Sequence, residues 1–253
     1  GHTALHMVSQ YNHPSCIPVL VELGADVSAV TCTGHTPLHL ATENNSRSCI
    51  PLLLDAGSDV HARTATGHTA IHIAAQENCG PCIPLLIEAG IDVNAVDDKG
   101  VTALYMAIEN KHTSCIPLLI EANVDVNSVT NTGGTALHIA TAKDIKSCVS
   151  LLIDHGANIH AVDNQGLTAL HAASQYNGAS CIPLLIDGGA DVNAVDDNGF
   201  TALHTASYCN SLESVPSLIA SGADTAMVSG SGKTALDLAR EKGHTAIVDL
   251  LTK

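Results

Sequence analysis

The stretch Gly67 to Lys99, GHTAIHIAAQENCGPCIPLLIEAGIDVNAVDDK, decides the fold, because the whole chain is built from copies of it. Its leading glycine recurs at Gly1, Gly34, Gly100, Gly133, Gly166, Gly199 and Gly232, always in steps of 33 residues and without insertion. Seven copies are complete (1–33, 34–66, 67–99, 100–132, 133–165, 166–198 and 199–231), and 232–253 is a truncated eighth. A fixed period of this length marks a stacked array, in which a copy cannot bury its apolar face alone and does so against its neighbours. No composition shift, linker or low-complexity run interrupts the period. The 253 residues therefore read as one array rather than as one or two globular domains.

Within one copy, 100–132, the local signals give two short helices and a turn. Thr102 is an N-cap candidate, its hydroxyl serving an unpaired backbone N–H. Ala103, Leu104, Met106, Ala107 and Ile108 supply the small and apolar faces of a first helix. Lys111, His112 and Thr113 turn the chain. Ser114 is placed to cap a second helix through Cys115 to Ile120, which stops near Asn123, where the other full copies carry glycine. Both residues tolerate a left-handed C-terminal cap. An extended finger then leads into the next glycine.

The G-x-T-A-L-H opening and the L-L-I-E-A-G-x-D-V-N close resemble the ankyrin repeat, and the resemblance covers the whole chain. It implies an all-α helix-turn-helix solenoid with short β-hairpin fingers, no catalysis and no cofactor. It also implies a protein or peptide partner on the concave side, which the finger tips and the outer positions of the first helices would line. One departure from the family pattern is a proline at positions 18, 51, 84, 117, 183 and 216, where a long polar residue is usual. Proline is tolerated only in a first helical turn. The second helices should therefore be short, with proline near their third position and Ser15, Ser48, Ser114, Ser147 and Ser180 as caps. Ser150 replaces the proline in the fifth copy. The last copy reads as an end cap: Asp237 stands in the histidine position, and Arg240, Glu241 and Lys242 add charge. The chain opens inside a repeat as apolar as the internal ones, which reads as part of a longer protein.

Composition narrows the function classes. The net charge of −15 argues against nucleic acid, which needs basic surface. Much of the acid is ordered by the period: Asp26, Asp59, Asp92, Asp125, Asp191 and Asp224 share one turn position, and Glu22, Asp55, Glu88, Glu121, Asp154 and Asp187 share one position late in the second helix. A solvated outer face accounts for these ladders; an acidic docking surface is the sharper alternative. No apolar run approaches the ~18 residues needed to span a bilayer. Of nine cysteines, Cys16, Cys49, Cys82, Cys115, Cys148 and Cys181 hold one repeat position. Neighbouring copies stand about 8–10 Å apart in packed helices, too far for a disulfide. They read as small buried side chains and, unpaired, suit a reducing, cytoplasmic setting.

Three constellations mimic chemistry. Cys79-Gly80-Pro81-Cys82 has the C-x-x-C spacing of redox sites, but it follows a helix without the strand context that activates such a thiol, and Cys82 belongs to the ladder. A local disulfide there stays open as an alternative. Nine of the fifteen histidines fall into two ladders: His6, His39, His72, His138, His171 and His204 in the T-A-L-H position, and His2, His35 and His68 after the glycine. A zinc site needs its ligands about 2 Å from one ion, which residues a helix apart cannot supply. The resemblance gives the first ladder a backbone-bonding role between repeats; the second reads as exposed. Gly232-Lys233-Thr234 faintly echoes a phosphate loop, but Met227 stands where its first glycine must be.

Variation among copies locates the binding surface. Side chains differ most at the finger tips and outer first-helix positions, such as Asp98, Lys99 and Val101 and their counterparts. The chain has only five aromatic residues, Tyr11, Tyr105, Tyr176, Phe200 and Tyr208, and none lies in the repeated apolar framework. Leu167 and Phe200 hold equivalent finger positions one repeat apart, with Tyr176 and Tyr208 on the first helices of the same two copies. Together with Asp197 and Asn198 as a polar rim, they form the expected contact patch. The function this favours is a protein–protein scaffold or substrate-adaptor segment. The alternative is an assembly or load-bearing segment of a membrane channel or cytoskeletal linker. A redox or metal enzyme resting on Cys79 and Cys82 is the third possibility weighed. Partner identity and oligomeric state are not legible.

Overall fold

The computed structural model describes residues 1–252. The chain forms two compact bodies, Gly1–Asp125 and Val126–Lys253. The first contains α1 (Ala4–Gln10), α2 (Cys16–Glu22), α3 (Pro37–Glu43), α4 (Cys49–Asp55), α5 (Ala70–Gln76), α6 (Cys82–Glu88), α7 (Ala103–Glu109) and α8 (Cys115–Glu121). The second contains α9 (Ala136–Ala142), α10 (Lys146–Asp154), α11 (Ala169–Gln175), a 3-10 turn (Ala179–Cys181), α12 (Ile182–Asp187), α13 (Ala202–Cys209), α14 (Ser214–Ala220), α15 (Ala235–Lys242) and α16 (Thr245–Leu251). Odd-numbered helices are the first of each repeat and even-numbered ones the second. This is the all-α repeat solenoid that the period implies.

The core of each body is a pair of ladders. On the first helices, Leu5, Leu38, Ile71 and Leu104 are buried in the N-terminal body, and Leu137, Leu170 and Leu203 in the C-terminal one. On the second helices, Leu53, Leu86 and Leu119, and then Leu152, Leu185 and Leu218, have no solvent exposure. Full burial of each such side chain contributes about 1.5–3 kcal/mol, which supports helices of some seven residues that would not form in isolation. Leu118, which stands one position before the buried ladder, is only half-buried; Leu119 carries the core contact.

Proline sets the length of the second helices. Pro18, Pro51, Pro84, Pro117 and Pro216 each stand third in their helix and Pro183 second, where the missing N–H had no helical partner. Where Ser150 replaces proline, α10 starts earlier, at Lys146, and reaches nine residues. The serine caps are not formed. Ser15, Ser48 and Ser114 already have right-handed helical backbone and make no cap hydrogen bond, whereas a capping residue needs extended φ/ψ. The chain instead enters through a tight turn, Cys115 N–H donating to His112 O at 3.0 Å. The serine is then free to reach the preceding repeat: Ser114 Oγ donates to Asn78 Oδ1 at 2.7 Å, and Ser180 Oγ to Asp144 Oδ1 at 2.8 Å. Both acceptors belong to a further ladder of left-handed residues that ends the first helices, Asn12, Asn45, Asn78, Lys111, Asp144, Asn177 and Asn210. The second helices of the full repeats end on glycine at positive φ, except that Asn123 serves at φ 58°.

The fingers depart from the expected β-hairpins. Among the described residues there is no strand, only isolated antiparallel bridges pairing Val96 with Thr102, Val129 with Thr135 and Val195 with Thr201. The finger's N–H groups are taken by a side chain at its base. Asp97 Oδ1 accepts from Lys99 and Val101 N–H at 2.8 Å each. Asp163 and Asp196 do the same for their fingers, and Thr31, Thr64 and Ser229 use hydroxyls. Within each body, neighbouring fingers are joined by a backbone bond, such as Ala65 N–H to Thr33 O at 3.0 Å and Gly230 N–H to Asn198 O at 2.8 Å. This contact explains the repeat glycine. Gly34 has φ +78°, and a Cβ there would lie 2.7 Å from Ala65 N.

Candidate functional site

The repeated polar residues are spent on the scaffold. The six T-A-L-H histidines each sit over their N-capping threonine. In the second repeat, Thr36 N–H donates to His39 Nδ1 at 3.1 Å and the Thr36 hydroxyl lies 2.9 Å away. With Nδ1 accepting, Nε2 carries the proton and donates to the next repeat: His6 to His35 O at 2.9 Å, His72 to Val101 O at 3.0 Å, His138 to Leu167 O at 2.9 Å, His171 to Phe200 O at 2.8 Å and His204 to Lys233 O at 3.0 Å. His39 turns to Ala62 O at 3.1 Å. Burial disfavours the imidazolium and lowers all six, His39 and His72 to about 4. All six are neutral: five clamp their repeat to the next and His39 bonds within its own copy, and the structural reading of this ladder holds. The second ladder is less exposed than expected: His2 is open, but His35 and His68 are half-buried, with His68 Nε2 3.4 Å from Asp97 Oδ2.

The cysteine ladder is likewise structural, except that Cys16, expected to be buried, is exposed. Cys49, Cys115, Cys148 and Cys181 are buried free thiols, and burial pushes Cys148 and Cys181 up to about 12, far from the reactive thiolate. Cys82 departs from the reading of the ladder as unpaired: it is bonded to Cys79, with the Cα atoms 5.3 Å apart. Both residues are buried, so the bond closes a turn under the surface. The turn aspartates are also scaffold, since Asp26, Asp59, Asp92, Asp191 and Asp224 each accept from the N–H two residues on.

What the scaffold leaves over is a cleft at the end of the C-terminal body. A groove of about 720 Å³ is lined by Asp196, Asp197, Asn198, Gly199, Phe200, Tyr208, Gly230 and Ser231. The finger of the seventh repeat sets one wall, because Asp196 Oδ1 holds Asn198 and Phe200 N–H at 2.8 Å each. Helix α13 sets the other by projecting Tyr208. Phe200 packs edge-on against Tyr208 with ring centres 6.5 Å apart, and against His204 at 5.7 Å. Phe200 is half-buried and Tyr208 is 45% exposed. Lys242 Nζ lies 4.1 Å from the centre of the Tyr208 ring.

Four of the residues singled out in sequence, Asp197, Asn198, Phe200 and Tyr208, thus line one cleft. Leu167 and Tyr176 do not line it. Leu167 is half-buried and its backbone is engaged by Asp163 and His138, while Tyr176 caps α11 and is 62% exposed. Asp98, Lys99 and Val101 belong to the N-terminal body. Asp98 is exposed and 3.6 Å from Arg63, Lys99 is exposed, and Val101 is half-buried with its carbonyl on His72. Sequence reasoning missed Asp196 and Lys242 as members of the cleft surroundings. The first reads as scaffold because Asp97 and Asp163 precede it at the same position, and the second lies one repeat away on the end cap.

A family model described as Ankyrin repeats (3 copies) matches residues 1–64, 56–130, 122–196 and 173–253. The chain belongs to the ankyrin repeat family. No individual curated protein matches it. Ankyrin repeats are in general protein–protein interaction modules, and proteins built of them are typically scaffolds rather than enzymes. Among the described residues, no helix is long and apolar enough to cross a membrane.

Proposed function

We propose that this ankyrin repeat chain is a protein-recognition segment, acting as a scaffold or adaptor by binding and not by catalysis. Its partner, a protein or peptide, lies across the finger tips and outer first-helix positions, the concave side in this family, and is anchored in the Phe200–Tyr208 cleft. The observation that carries this is the aromatic pair left half-open in a groove with a polar rim, in a chain whose repeated histidines and turn aspartates are spent on the scaffold. A few aromatic residues inside a polar rim are how an interface concentrates its energy. Leu167, Tyr176 and the finger residues Asp98, Lys99 and Val101 extend the contact on their respective bodies. The five free thiols of the cysteine ladder suit a reducing, cytoplasmic setting, with the buried Cys79–Cys82 bond as the one exception among the described residues.

The test is quantitative capture from a cognate lysate with wild-type protein, Phe200→Ala, Tyr208→Ala and Glu88→Lys. The two aromatic variants should each lose about 1–4 kcal/mol of partner binding with little change in melting temperature, and Glu88→Lys, on an outer acid, much less. Equal capture by Tyr208→Ala and wild type would place the partner elsewhere.

A further inference from the structure

The chemistry of the cleft narrows the partner. Its only charged lining residues are Asp196 and Asp197, and both are acids. Asp196 is committed to the finger backbone through Oδ1. Asp197 is anchored through its own N–H, which donates to Gln165 O at 3.1 Å, and its side chain is exposed at the rim. Beside these carboxylates stand two aromatic rings at right angles, 80° apart. The Tyr208 ring already attracts a cation, the ammonium of Lys242 at 4.1 Å, supplied by the neighbouring end-cap helix α15. Of the other cations on the end cap, Lys233 is engaged in an ion pair with Glu241, and Arg240 is exposed on α15. Carboxylates beside an aromatic face favour a flat cation: a guanidinium can stack on the ring and present a fork to the carboxylate in one pose. The net charge of −15 adds long-range attraction for a basic chain.

We propose that the cleft takes an arginine side chain of an extended basic peptide, with the guanidinium against Tyr208 and Phe200 and paired with Asp197. Lys242 is the internal competitor that the peptide arginine displaces from the ring. This rests on the reading of the cleft as the partner anchor and specifies what enters it. It also separates Lys242 from an ordinary surface lysine, because its removal should strengthen binding.

The probe is a positional peptide library of fixed length, carrying arginine, lysine, glutamine, leucine or glutamate at its central position, screened on the intact chain. The best arginine peptide is then titrated by fluorescence anisotropy against wild type, Asp197→Asn, Lys242→Ala and Tyr208→Ala. Arginine should be enriched over lysine, and both over glutamine, leucine and glutamate. Asp197→Asn should weaken binding about 3–10-fold, Lys242→Ala should strengthen it about 2–5-fold, and affinity should fall as salt rises. Enrichment of leucine or glutamate in the library, with Tyr208→Ala still abolishing binding, would overturn the arginine assignment while leaving the cleft as the anchor. Binding indifferent to Tyr208→Ala would remove the anchor itself. A Lys242→Ala variant that binds more weakly would show the lysine to be part of the site and overturn the displacement.

Discussion

Acid should dismantle this scaffold through its histidine clamps. His39 and His72 have pKa values near 4 in the folded chain against 6.5 for a free imidazole, and His6, His138, His171 and His204 are shifted the same way. Between these limits the unfolded chain binds a proton that the folded chain refuses. Stability is therefore complete above pH 6.5 and falls as the pH drops towards 4, by at most about 1.4 kcal/mol per pH unit for each such histidine. Each of the two strongest clamps thus contributes about 3 kcal/mol of lost stability at the acid end. Two of them remove an amount comparable with the ~5–15 kcal/mol that holds a typical domain. Urea unfolding at pH 7.5, 6.5, 5.5 and 4.5 reads the slope directly, and His72→Gln reads one clamp's share. The variant should be less stable than wild type at pH 7.5, since Thr69 and Val101 lose their partner, yet less sensitive to pH, with the gap closing as acid removes the same contact from wild type. The ring protons of His72 should not titrate above pH 5 in an NMR series. A His72→Gln variant with the full wild-type pH slope, or a wild type that gains stability on acidification, would refute the clamp.

Three further expectations follow from the packing. Leu119→Ala should cost about 2–5 kcal/mol and half-buried Leu118→Ala clearly less, so a thermal melt that reversed the order would put the buried face of α8 one residue away. Gly34→Ala places a side chain at φ +78° and 2.7 Å from Ala65 N; denaturant unfolding should show a loss of about 1–3 kcal/mol, and no loss would mean that the fingers do not touch through this glycine. Ser207 Oγ is buried in α13 without a hydrogen-bond partner, so Ser207→Ala should raise stability by about 1 kcal/mol, measured by differential scanning calorimetry.

The sequence was most legible where a residue's role repeats. The period and the two-helix unit recur in all eight copies, and the histidine clamp and the proline near the third helical position in six each, so each rule could be read. The longer α10, where Ser150 stands, shows the proline rule by its exception. The serine caps failed because cap residues are recognised by type, while capping depends on backbone conformation. The turn before each second helix is already right-handed, and Ser114 and Ser180 spend their hydroxyls on the preceding repeat. The β-hairpins shrink to isolated bridges for a related reason: in every finger a side chain at the base, Asp97, Asp163 or Asp196 in three and a Thr or Ser hydroxyl in the others, takes an N–H that a longer ladder would use. Side chains competing for backbone partners leave no periodic signal in hydrophobicity.

The candidate site was legible by the opposite logic, as the place where copies disagree. Phe200 stands where the other fingers carry His2, His35, His68, Val101, Gly134, Leu167 and Lys233, and Tyr208 where α11 carries Gln175. Such departures mark residues that the scaffold does not require. They do not say which departures meet in space. Leu167, Tyr176, Phe200 and Tyr208 look alike in sequence, yet only the last two line the cleft: Tyr208 lies within α13, whereas Tyr176 stands one position further on, at the C-cap of α11, and so leaves its finger residue unaccompanied. Lys242 illustrates the limit from the other side. By type and place it is an end-cap lysine, and only its approach to the Tyr208 ring gives it a part in what the cleft can hold. In a repeat array the scaffold is written along the chain, whereas a recognition site is written across neighbouring copies. The cation that Lys242 places on Tyr208 is this chain's own indication of what such a site attracts.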